Sequence, residues 1–149
     1  MGFSILGLAV SVAVLAPNLL LLIWPPHPSL PRVFAPRPLA WTERAGQALC
    51  MVVPATTTAG PILLGWSAPL VVSVFGYWLL WGRYARLRTP AALFGPVRGI
   101  PVPMAILPVA AFLSCAMLLS NPWITVAAVV LASGHIPVSL LRARALHVD

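Results

Sequence analysis

The chain has no lysine, only two acidic residues, only two cysteines, and 7% charged residues in 149. So few charges leave too little polar surface to hydrate a soluble globule when 60% of the residues are hydrophobic. The net charge of +7 suggests a polyanion partner, but the basic residues are divided among three short segments instead of forming one solvated face. Nucleic acid is excluded as a partner on that ground. Cys50 and Cys115 lie in separate apolar runs, and no Cys or His stands at ligand spacing from another, so no disulfide and no metal site is expected. A nucleophile elbow GxSxG, a zinc motif HExxH, a phosphate loop GxxxxGK[ST] and a selectivity-filter loop are all missing, and no cofactor motif is present. One acidic residue, Asp149, is the last of the chain, which disfavours a two-carboxylate or metal-dependent intramembrane enzyme.

Long apolar runs are what the chain does have. A bilayer core of about 30 Å takes about 20 apolar helical residues, and five segments approach that length: 3–24, 42–59, 67–81, 102–119 and 122–141. The expected fold is all-α, a single transmembrane domain of five helices. Met1 to Ile23 lacks a positive n-region and its apolar run is too long for a signal core, so it is expected to stay as the first helix.

The arginines set the expected orientation. They occupy the connection Pro25 to Trp41 with Arg44 just beyond, the connection Gly82 to Pro101, and the tail with Arg142 and Arg144. The segments Met1 to Gly2, Gly60 to Trp66 and Ser120 to Asn121 carry no charged side chain. Five spans place every Arg on one side, which the positive-inside rule makes cytoplasmic, with the N-terminus outside. Merging the second and third segments destroys that alternation. Trp24, Trp41, Trp81 and Trp123 stand at segment ends as interfacial anchors. A basic set made only of Arg, with abundant Ala, Val and Pro, points to a GC-rich bacterial genome, and hence to a bacterial plasma membrane.

Six prolines deny the segment after Trp24 a regular helix. It is expected to run extended along the headgroups, with Val33 and Phe34 dipping toward lipid. Thr42 is the expected N-cap of the second helix, with Glu43 in its first turn. Gly60 to Trp66 is expected to be a tight uncharged turn.

Polar groups at membrane depth are costly and therefore informative. At about 1.5 Å per residue, Asn18, Gln47, Tyr77 and His135 lie roughly 6–10 Å from the arginine-bearing ends of four different helices. Glu43, Gln47, Cys50 and Pro54 share one face of the second helix, and His135, Ser139 and Arg142 one face of the fifth. If those faces point inward, Asn18, Glu43, Gln47, Tyr77, Arg83 and His135 form a ligand-binding cavity open to the cytoplasm. The alternative is that Asn18, Gln47, Tyr77 and His135 are hydrogen-bond glue between helices, and that Glu43 with Arg44 is a solvated interfacial pair. His135 is the group best suited to act as acid or base. Pro101, Pro103 and Pro108 stiffen the entry of the fourth helix, Pro54 interrupts the second and Pro137 the fifth, and such kinks either are tolerated by neighbours or open room for a ligand.

Pro17-Asn18, Trp24-Pro25-Pro26, Glu43-Arg44-Ala45-Gly46-Gln47, Pro101-Val102-Pro103-Met104-Ala105 and Gly134-His135-Ile136 together resemble an uncharacterised family of small multi-pass bacterial membrane proteins. The resemblance implies a membrane bundle and supplies no activity. Three functions follow as expectations. The first is binding of a lipid or lipophilic small molecule from the cytoplasmic leaflet, with membrane lipids as partners. The others are a small lipid-modifying enzyme using His135, with Glu43 or Tyr77 as its partner, and a structural or accessory subunit.

Overall fold

The computed structural model describes residues 2–30 and 33–148. It is all-helical, with helices α1 (Ile5–Ile23), α2 (Arg37–Thr56), α3 (Ser67–Leu87), α4 (Pro90–Phe94), α5 (Pro103–Leu118) and α6 (Pro122–Ala145). Three of these, α1, α6 and α3 with the turn preceding it, are long and apolar enough to cross a membrane. Helix α5 is equally apolar but has 16 residues, and α2 carries Arg37, Glu43 and Arg44 in its first half.

Helix α5 is the centre of the bundle. It packs on α3, α6 and α1, and Ala111, Phe112, Cys115 and Ala116 along it are buried. The outer faces are as apolar as the inside: Val71, Phe75 and Leu79 on α3 and Trp123, Val126 and Val129 on α6 are exposed. Apolar surface on that scale cannot face water and is suited to hydrocarbon.

The most extensive pairing is α2 against α6, and two glycines set its closeness. A Cβ on Gly46 would collide with the backbone of Leu131, and one on Gly134 with the backbone of Glu43. Small residues let membrane helices approach to backbone contact. Here that approach carries Glu43 to within reach of the residue after Gly134.

Prolines inside helices free a carbonyl four residues upstream, and for two of them in this fold a neighbouring helix supplies the missing donor. Pro54 frees the Cys50 carbonyl, which accepts from Ser11 Oγ on α1 at 2.9 Å. Pro17 frees the Ala13 carbonyl, which accepts from Trp78 Nε1 on α3 at 2.8 Å. Helix α1 tightens to 3₁₀ geometry over Ala16–Leu19 at this point.

Three local expectations are corrected. Helix α2 starts at Arg37 behind Pro36, with Pro38 in its first turn, where a proline's missing N–H costs nothing. Thr42 is therefore not a cap; its hydroxyl donates to the Pro38 carbonyl at 2.8 Å, and Glu43 lies beyond the first turn. Helix α3 runs on past Trp81 to Leu87, and α4 occupies part of the following connection. Of the pair Val33 and Phe34, Phe34 projects outward, 98% exposed, while Val33 lines a cavity that is partly open to the surface.

Among its described residues the segment after α1 has no regular structure, and its start is tied down. Tyr84 Oη donates to the Trp24 carbonyl at 2.6 Å, His27 N–H to the Arg88 carbonyl at 2.7 Å, and the Arg88 guanidinium lies 5.1 Å from the Trp24 ring centre. Gly60 to Trp66 is not a tight turn: α2 already ends at Thr56, Gly60 N–H and Leu63 N–H donate to the Leu119 and Leu118 carbonyls, and Leu64–Trp66 is a 3₁₀ turn leading into α3.

Candidate functional site

The close α2–α6 crossing places the imidazole of His135 against the carboxylate of Glu43: Nδ1 is 2.8 Å from Oε1. An ionised carboxylate only accepts, so opposite ionised Glu43 it is Nδ1 that donates. Arg142, two turns along α6, brings its guanidinium to 3.6 Å from the same oxygen and over the Phe94 ring, 5.8 Å from its centre. Glu43 is thus a buried carboxylate shared by two donors of α6, and not the solvated partner of Arg44. Arg44 lies over Trp41 instead.

Beside this cluster is a cavity of about 410 Å³, within the usual range for small-molecule sites. Asn18, Glu43, Gln47, Tyr77 and His135 all line it. Arg83 does not: its guanidinium turns to the Ala91 carbonyl of α4 at 3.4 Å. Arg142, Ser139 and Trp81 also line the cavity, and Leu21, Leu93, Phe94 and Met104 supply apolar wall. Arg142 and Ser139 were not among the expected ligand residues, although their i, i+4, i+7 spacing from His135 carries the signal. Trp81 was read as an interfacial anchor. It is buried, packed edge-on against Tyr77 and Tyr84, and its Nε1 has no hydrogen-bond partner among the described residues.

The polar groups differ in how fully they are used. Asn18 donates to the Leu15 carbonyl at 3.1 Å, and its Oδ1 accepts a long bond of 3.4 Å from Tyr77 Oη. The Asn18 amide does not take the carbonyl freed by Pro17, since Trp78 holds that one. Among the described residues Gln47 and Ser139 make no side-chain hydrogen bond, and nothing bonds His135 Nε2. The cluster therefore combines direct interhelical bonds with spare donors and acceptors beside open space.

Comparison with protein-family models, with curated proteins and with solved structures finds no match.

Proposed function

We propose that the chain is a five-span protein of a bacterial plasma membrane, N-terminus outside, whose cavity binds a lipid or lipophilic small molecule from the cytoplasmic leaflet. The observation that carries this reading is that polar residues from α1, α2, α3 and α6 converge on one cavity with an otherwise apolar wall. A cavity that sets seven polar side chains against an apolar wall suits an amphiphilic ligand. Pure interhelical glue would consume the polar groups and leave no space, whereas Gln47, Ser139 and His135 Nε2 remain unused. The orientation follows from the arginines, which five alternating spans gather on one side.

The test is native mass spectrometry of the purified protein after exposure to a lipid extract, on wild type and His135→Phe. Retention of a ligand by wild type and its loss from a folded His135→Phe variant is the expected result. No retained ligand, or equal retention by both, overturns the reading. If His135→Phe lowers stability and changes nothing else, the cluster is structural. A second reading, a small lipid-modifying enzyme, draws support from the Glu43–His135 bond, which fixes the protonated nitrogen and leaves Nε2 for acid–base work. Turnover of the retained ligand separates it from simple binding.

A further inference from the structure

A second cavity, of about 480 Å³, lies in the cleft between α1 and α2, floored by Pro108 and Phe112 of α5 and Leu131 of α6. It shares Asn18, Gln47, Tyr77 and His135 with the first, so the two abut across a polar waist. The cleft has a structural cause. Helices α1 and α2 touch at Gly7 against Pro54 and at the Ser11–Cys50 bond. Beyond that contact, toward the arginine-bearing end, the 3₁₀ stretch of α1 faces a gap. Leu19 and Met51 line that gap and are exposed, so it opens sideways onto the surface that hydrocarbon covers.

We infer that the two cavities together form one site for a single-chain amphiphile with an anionic headgroup, the head at Arg142 and His135 and the tail in the α1–α2 cleft. The inference rests on the lipid-binding reading and adds headgroup charge, tail path and lateral entry to it. Differential exposure decides the charge. The Glu43 side chain is 9% exposed, His135 22% and Arg142 39%, so the carboxylate stands behind its partners and an incoming headgroup meets donors. Arg142 also holds Glu43 only at 3.6 Å, which leaves most of its N–H groups for a carboxylate or phosphate oxygen. Arg44 lines the cleft and adds a second cation along the entry path. The far end of the cleft is lined by Cys50, Phe112 and Leu131, and suits only hydrocarbon.

The probes are palmitate, 1-palmitoyl lysophosphatidate, hexadecanol and octanoate, titrated into the full chain in nonionic detergent. One of the two long-chain anions is expected to bind at least about tenfold more tightly than hexadecanol, the size of one or two charge-assisted hydrogen bonds. Which anion wins tells a fatty carboxylate from a phosphate monoester, and either supports the proposal. Arg142→Gln removes the preference for the anion. Ala48→Trp, which fills the cleft, weakens palmitate and leaves octanoate unchanged. Photocrosslinking of wild type with a palmitate bearing a terminal diazirine needs no variant to fold, and is expected to label Met51 or Phe112. Equal affinity for hexadecanol and the anions, or labelling confined to outer residues such as Phe75, overturns the proposal while lipid binding stands. Absence of binding by every probe and by any lipid overturns both.

Discussion

Glu43 is the only carboxylate side chain among the described residues, and its nearer partner in sequence, His135, is 92 positions away. An ionised group in a membrane bundle persists only when it is paired. Glu43→Gln keeps an oxygen to accept from His135 Nδ1 and loses the charge that holds Arg142, so it is expected to cost about 1 kcal/mol. Glu43→Leu strands both donors and is expected to cost about 3 kcal/mol. Unfolding by SDS titration in mixed micelles measures the two. Equal losses would show that charge and not the hydrogen bond matters.

Trp78 offers a sharper residue-scale test. Its indole donates to the carbonyl freed by Pro17, so Trp78→Phe is expected to cost roughly 0.5–1 kcal/mol, the size of an interhelical bond in a membrane. In a Pro17→Ala background the carbonyl regains a helical N–H, and the same substitution should cost much less. Non-additivity in that double-mutant cycle reports the bond directly. That Asn18, Gln47, Tyr77 and His135 come together was legible in the sequence, and the four line one cavity, although α2 and α3 extend further than the ends from which their depths were counted. The Glu43–His135 partnership was not, since nothing local says which helix faces which.

At the scale of elements, α2 and α6 meet through Gly46 and Gly134, and every contact of the Glu43 cluster depends on that closeness. Gly134→Ala drives a methyl into the Glu43 backbone, and Gly46→Ala into that of Leu131; neither obstacle is the flexible end of a side chain. Each is expected to cost about 1–3 kcal/mol by overpacking. Gly82→Ala on α3, where a Cβ meets nothing within 4 Å, is the control and should be neutral or stabilising by up to about 1 kcal/mol. Thermal unfolding of the three variants in detergent checks the ranking. Helix boundaries were the less legible part. Hydropathy marks where apolar residues stop, and α3 continues through Arg83 and Arg86 to Leu87 because arginine is a good helix former outside hydrocarbon. The early start of α2 is likewise hidden by its prolines, which break a helix interior but suit its first turn.

For the whole molecule, the helical class and the apolar stretches were readable because a bilayer admits few structures. Packing was not, because inside and outside of such a bundle are equally greasy, and α5 and the outer face of α3 have the same residue types with opposite exposure. Topology is where the proposed span count meets a measurement. Helix α2 is the doubtful span on composition, with three charged residues, yet each has a place: Arg37 stands at the helix end, Arg44 reaches back to Trp41, and Glu43 is held by His135 and Arg142. On the proposed five-span reading, the cost of keeping α2 in the bilayer is thereby reduced to burying one paired cluster. Were α2 to lie outside instead, the arginines around Pro25 to Trp41 and those around Arg83 to Arg98 would face opposite sides, against the charge rule. A reporter fused after Val148 is therefore expected to report from the cytoplasm, and one inserted at Gly65 in the uncharged turn from the outside. Activity of both fusions on the same side would remove a span from among α3, α5 and α6, whereas a reporter at Ala35 that worked from the same side as the one at Gly65 would remove α2, and with it the lateral cleft between α1 and α2.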